Sequence, residues 1–235
     1  MTCVVPVRDG ERFLAAALES SLGQTHPTLE VIVVDDGSTD STAEIVRSYE
    51  PRVRYVRQDN AGPAAARNRG IELAHGDFLT FLDADDLWHP EKVERQLRRF
   101  VERPELGVCF ARLRNFLDGT DPRQPGESAE DVAGYTSQTM LARRDLFQTV
   151  GLLDPTLGHG DDRDWLLRAA EQGIVMDMLG EVLVYRRLHG ANRSRALGAQ
   201  CRADYLRIVK ASLDRRRAQG QPAEYGFGSE RQPKA

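Results

Sequence analysis

Two runs of carboxylates stand out by residue type and spacing, Asp35-Asp36-Gly37-Ser38 and Asp83-Ala84-Asp85-Asp86. Each follows a short apolar run, LEVIVV before the first and FLTFL before the second, as expected of strands buried on both faces. Clustered carboxylates repel one another, so the Asp83 cluster costs energy unless a cation neutralises it. Hard oxygen donors suit Mg2+ or Mn2+, whose shell is completed by water and phosphate oxygens. A diphosphate leaving group has that requirement. Asp83 and Asp85 are therefore read as metal-side residues, and Asp86 as a cap for the helix that begins near Pro90. A third group, Gly160-Asp161-Asp162-Arg163-Asp164-Trp165, lies ahead of a short helical pattern. A carboxylate there could serve as a general base if it faces the same crevice, although acidic residues opening a helix are also ordinary dipole-favoured caps.

The elements that must hold these groups alternate along the first half of the chain. Residues 2–7 and 29–34 read as strands, with a helical pattern over 10–22 between them. Ser41 and Glu44 have capping-box spacing and open a second helix. A strand over 53–56 follows, then a helix whose first turn holds Pro63 and which ends near Gly76. Residues 78–82 form a fourth strand, and Pro90 opens a helix running to about Val101. This order predicts parallel strands with crossover helices. In such sheets ligands bind beyond the carboxyl ends of the strands, where both carboxylate runs fall.

The second half is less regular. A strand is expected over 106–113, a long loop over 118–134, helices over 143–150 and 164–172, and a strand over 182–186. Residues 202–217 suit an amphipathic helix with Leu206, Val209 and Leu213 on one face. Six basic and two acidic residues in that segment suit contact with an anionic membrane surface bearing a lipid-linked acceptor, or a solvated helix packed on the domain. Residues 219–235 read as a flexible polar tail.

Composition narrows the partners. A 40% hydrophobic and 29% charged chain is an ordinary globular one, not a disordered one. The net charge of −4 gives no overall attraction to nucleic acid. Cys3, Cys109 and Cys201 are far apart with no C-x-x-C pair, which argues against a disulfide framework or a thiolate metal site and fits a reducing compartment. No apolar run is long enough for a membrane span, and Met1 leads directly into a strand-like segment with no secretion signal. A cytoplasmic protein, with peripheral contact at the inner face of a membrane as a further option, is the expectation. Nothing read here specifies an oligomer.

Taken together, the segments VVPVRDGERFLAAALESSLGQTHPTLEVIVVDDGSTDST, NAGPAAARNRGIELAHGDFLTFLDADDLWHPEK, GDDRDWLLRA and RRLHGANRS resemble the family-2 glycosyltransferases over residues 2–194. The resemblance implies a GT-A type Rossmann-like α/β sandwich with a central, mostly parallel sheet flanked by helices. It implies one domain over 1–200, with 1–115 as the nucleotide-sugar half and 116–200 as the acceptor and catalytic half. A C-terminal helix over 201–218 and the tail over 219–235 follow. It further implies a metal-dependent inverting transfer of one sugar from a nucleotide-sugar, a UDP-sugar by preference, to a hydroxyl acceptor (a glycan, lipid-linked sugar, peptide or small molecule).

Residue by residue, Pro6 and Arg8 would line the nucleobase and ribose pocket, and Asp36 would accept hydrogen bonds from the base. Gly62 and Arg67 fall in the next nucleotide-contacting segment, and Ala84 lies beside the nucleotide between Asp83 and Asp85. Asp85 would be a direct metal ligand, Asp83 would contact ribose or metal-bound water, and His189 would approach the metal or diphosphate. Asp162 corresponds to the general base, with Asp161 beside it. Arg8-Asp9 stands where many relatives have Tyr-Asn, and Asp161-Asp162 where a Glu-Asp pair is usual. The Gln-x-x-Arg-Trp signature of processive synthases is absent, which favours a single transfer per encounter.

Two other readings compete. FLDADDLW and GDDRD also resemble the acidic motifs of haloacid-dehalogenase-like phosphatases, but these need a lysine between the motifs, and Lys92 is the only one in that interval. A non-catalytic nucleotide-sugar-binding protein would use the same pocket without turnover. A sugar nucleotidyltransferase lacks its glycine-rich N-terminal loop here, and no G-x-G-x-x-G follows a strand to hold a dinucleotide.

Overall fold

A computed structural model describes residues 1–27, 29–124, 131–190, 192 and 198–220. Its first half is the expected alternation. Strands β1 (Thr2–Val7), β2 (Glu30–Asp36), β3 (Arg54–Gln58) and β4 (Phe78–Phe81) lie parallel in the order β3-β2-β1-β4. Helices α1 (Leu14–Leu22), α2 (Thr42–Arg47) and α3 (Pro63–Leu73) connect them. The central strands are buried along nearly their whole length and mostly apolar because both faces are covered. Val4, Ile32 and Val34 face Ala64, Ala66 and Ile71 of α3. Cys3, Val5, Val31 and Val33 face Leu14, Ala17 and Leu18 of α1.

A proline is tolerated in this central sheet because of where pairing stops. β1 pairs with β4 only through Val4, so Pro6 lies past the last bond on that side.

The second half extends the sheet with mixed pairing. Strands β5 (Leu87–Trp88), β6 (Leu106–Leu117), β7 (Asp131–Ala133), β8 (Leu141–Arg143) and β9 (Val175–Leu188) give the order β4-β8-β6-β9-β5, with β7 on β6. Helix α4 (Lys92–Glu102) joins the α1 face through Val93. The short α5 (Leu146–Thr149) and α6 (Asp161–Glu171) join the other face through Leu146, Phe147 and Trp165. Helix α7 (Gly198–Ala218) packs against α6. The architecture is the expected α/β sandwich.

Several local expectations are corrected. Ser41 makes no side-chain cap; Asp40 instead accepts the Thr42 N–H at 3.0 Å, and Glu11 accepts that of Ser41. Part of the expected 118–134 loop is strand β7, and residues 125–130 lie outside the described residues. The expected helix over 143–150 begins as β8 and keeps only α5. On α7 the buried positions are Asp204, Ile208 and Ser212, while Leu206 is exposed. That face is set by Asp204 on His159, Ile208 against Gly160 and Ser212 on Glu171 rather than by the leucines. Several basic side chains of the helix are turned to acids of the protein, Arg215 to Glu171, Arg207 to Asp154 and Arg217 to Asp214. The tail from 221 onward lies outside the described residues. Among the described residues no helix is long and apolar enough to cross a membrane.

Candidate active site

The carboxyl ends of the parallel strands open into a cavity of about 1280 Å3. Pro6, Arg8, Asp36, Gly62, Arg67, Asp83 to Asp85 and His189 line it, as do Asp161 and Asp162. Every residue singled out from the sequence for a site role therefore lines this one cavity. Its volume exceeds that of a typical small-molecule pocket, so two substrates can share it.

At the end of β2 the two aspartates are both buried but differ in partners. Asp35 accepts the Ser38 N–H at 2.7 Å and the Tyr55 hydroxyl at 2.6 Å. Burial, with Asp35 beside it, pushes the Tyr55 phenol up to about 12. Asp36 accepts the Ala61 and Gly62 N–H groups at 2.8 and 2.9 Å and the Gln58 amide at 2.8 Å. A carboxylate offers about four acceptor sites, so roughly one remains for a ligand. Gly62 caps α3 at φ +90, a conformation that side chains rarely adopt, and Pro63 follows at the first helical position.

The acidic cluster after β4 divides into three roles. Asp83 accepts Arg67 at 3.0 Å through one oxygen and the Gln138 amide at 2.6 Å through the other. Asp85 accepts Asn192 at 3.3 Å, and the same oxygen lies 2.9 Å from His189 Nε2. Asp86 does not cap α4, whose N-cap is Glu91. It is buried and accepts the Arg187 N–H at 2.9 Å, while its other oxygen has no partner among the described residues. Burial, reinforced by Asp85 and Asp83, pushes its carboxyl well above the usual range. Arg187 braces the cluster, donating to the Asp85 carbonyl at 3.0 Å and to Asp118 at 3.1 Å between the rings of Phe13 and Phe116.

Across the cavity, Asp161 and Asp162 open α6 rather than precede it. Asp161 is buried against Arg67 at 2.9 Å. Burial raises its carboxyl, the Arg67 guanidinium opposes that, and neighbouring Asp162 adds to it. Asp162 accepts the Ser137 N–H at 3.0 Å and that of Arg163 at 2.8 Å, which orient its carboxylate. Two bridges thus tie Asp83 to the Asp161-Asp162 pair. One is Arg67, and the other is the 3-10 turn Ser137–Thr139 that supplies Ser137 and Gln138. Sequence reading missed Gln138, Ser137, Asn192 and Arg187; only Asn192 and Arg187 lay in segments already quoted, and none had a distinctive local pattern.

The glycosyl transferase family 2 model matches residues 2–158, about two thirds of the chain. That match ends just before Asp161. An uncharacterized glycosyltransferase of Rickettsia prowazekii is 30% identical over 208 residues, covering 81% of this chain and 64% of the relative. The chain thus spans about 64% of the length of such curated relatives. Among solved structures, Staphylococcus aureus TarS 1-349 in complex with UDP-GlcNAc superposes with a TM-score of 0.73 at 19% identity, covering 89% of this chain and 65% of that one. The mannosyltransferase PcManGT from Pyrobaculum calidifontis, in complex with GDP-Man and Mn2+, gives 0.72 at 19% identity, covering 91% and 64%. At that identity these likenesses concern the fold, which is the GT-A type. With the family model spanning most of the chain and the fold agreeing, this chain belongs to the family-2 glycosyltransferases.

Proposed function

We propose that this chain transfers one sugar from a nucleotide-sugar, a UDP-sugar by preference, to a hydroxyl acceptor with inversion. The observation that carries the reading is the pair of bridges joining Asp83 on the donor side to Asp161-Asp162 across a single cavity. The family-2 membership and the nucleotide-sugars named for the similar folds support the donor class.

In this reading Asp36, Pro6, Arg8, Gly62 and Ala84 hold the nucleotide, and Arg67 keeps Asp83 aligned beside it. Among the described residues no three His, Cys, Asp or Glu side chains converge on a metal position. Asp85 and His189 are a two-member donor set that fits Mn2+ or Mg2+ when substrate phosphate and water complete the shell. When bound, such a cation offsets the charge that develops on the departing diphosphate. Asp162, fixed by two backbone N–H groups, takes the acceptor proton as that oxygen attacks the anomeric carbon. A single displacement inverts the centre without a covalent intermediate.

The phosphatase reading loses its lysine. Lys92 is fully buried, donates to Thr80 at 2.9 Å, and does not line the cavity.

Asp162→Asn keeps one acceptor oxygen, so it can hold only one of the two backbone N–H groups, and it cannot take a proton. The expected outcome is donor affinity within about twofold of wild type and transfer reduced about 10²–10⁴-fold. Binding would be followed by calorimetry and transfer by product mass. Near-normal transfer by Asp162→Asn would remove this residue as the base.

A further inference from the structure

Helix α7 lies beyond the family-matched residues 2–158, yet it is seated on the helix that carries Asp162. Ile208 Cδ1 lies 3.0 Å from where a Cβ on Gly160 would stand, so the helix abuts the cap of α6. The buried Asp204 carboxylate accepts the His159 N–H at 3.1 Å. Further along, Glu171 accepts the Ser212 hydroxyl and Arg215 Nε, the latter at 2.6 Å. These contacts leave Tyr205 51% exposed on the cavity wall. The Arg163 guanidinium lies over its ring, 5.9 Å from the centroid, and Arg163 directly follows Asp162. Neighbouring Leu206 is also exposed but does not line the cavity.

From this placement we infer that Tyr205 and Arg163 form the acceptor subsite and that the acceptor is a saccharide. A half-exposed phenol ring presents a flat apolar face to the C–H groups of a sugar ring, with little conformational entropy to lose. The guanidinium donates to hydroxyl oxygens at the rim of such a ring. A linear alcohol or a peptide serine has no flat, hydroxylated ring to match this pair. The subsite rests on the transfer reading given above and adds no chemical step to it. The acceptor oxygen bonds to the anomeric carbon, the bond to the diphosphate oxygen breaks, and the hydroxyl proton passes to Asp162.

The test uses the full chain and whichever UDP-, GDP- or dTDP-sugar the wild-type protein binds by calorimetry. Transfer to methyl glycosides is followed by mass spectrometry beside cyclohexylmethanol and a serine-containing peptide. Tyr205→Ala, Tyr205→Phe and Leu206→Ala are compared with wild type. Transfer to a glycoside is expected, with acceptor KM raised about tenfold by Tyr205→Ala and less than about twofold by Tyr205→Phe. Leu206→Ala leaves it unchanged. Donor affinity stays within about twofold of the wild-type level in all three variants. An unchanged acceptor KM in Tyr205→Ala, or transfer to the alcohol or peptide without any glycoside, would overturn the subsite. Failure of every donor to bind the wild-type protein would overturn the transfer reading and the subsite with it.

Discussion

Lys92 sits under the sheet with no access to water, its ammonium donating to Thr80 and lying 4.2 Å from the centre of the Trp88 ring. Burial pulls its pKa down to about 7, opposed by the nearby Cys3 and Cys109 thiols, which burial pushes up to about 12. In the unfolded chain a lysine keeps its proton to about pH 10.4. Between about pH 7 and 10 the unfolded state therefore binds more protons, and stability rises with pH across that window. The Trp88 ring favours the charged form and narrows the window. Lys92→Met has no such proton to lose. Thermal unfolding at pH 7 and pH 10 should show wild type gaining on the order of 5 °C relative to Lys92→Met. A constant difference between the two proteins at all pH values would contradict this. At the same scale, the cavity carboxylates Asp36, Asp83 and Asp85 were legible because acidic runs beyond apolar strands have few structural uses, whereas Asp162, in the first turn of a helix, was singled out only through the family resemblance. Their partners were not legible. Gln138 meets Asp83 across 55 positions and Tyr55 meets Asp35 across 20, separations that no local pattern encodes. Asp86 was misread because helix-capping logic is local, whereas its real partner, Arg187, comes from β9.

Elements were legible where hydrophobic periodicity dominates. The apolar runs of β1, β2 and β4 and the proline and glycine signals around α3 located those elements within a few residues. Reading failed where tertiary contacts override local signals. Asp40 and Glu11 displaced the Ser41 cap, and the contacts of Asp204, Ile208 and Ser212 with residues 159–171 leave Leu206 of α7 facing outward. Close packing between elements gives a further expectation. A Cβ on Gly70 of α3 would lie 2.2 Å from Val4 Cγ1 and 2.8 Å from Cγ2 on β1. Gly70→Ala should therefore destabilise the protein by about 1–3 kcal/mol in urea unfolding. It does so despite the gain of about 1 kcal/mol that alanine brings to a helix interior. Adding Val4→Ala removes the overlap, so the double variant should lose less than the sum of the singles. A Gly70→Ala protein more stable than wild type would mean that α3 does not sit this close to β1.

At the scale of the molecule, one sheet carries two kinds of wall to the same cavity. Its parallel half ends in Asp36 and Asp83 to Asp85, while the mixed half and α6 bring His189, the 137–139 turn and Asp162. The fold class followed from alternating strands and helices. The antiparallel pairing of β8, β6 and β7 did not, because short strands such as β7 and β8 carry too few residues to show a period. The central claim is that this cavity takes a nucleotide-sugar with a divalent cation at Asp85. Calorimetric titration of UDP-, GDP- and dTDP-sugars, with and without Mn2+, tests it most directly when run on wild type and Asp85→Ala. Binding of a UDP-sugar with Mn2+ is expected, weakened at least about tenfold by omitting the metal or by Asp85→Ala. Failure of every donor to bind, or binding indifferent to both Mn2+ and Asp85→Ala, would contradict it.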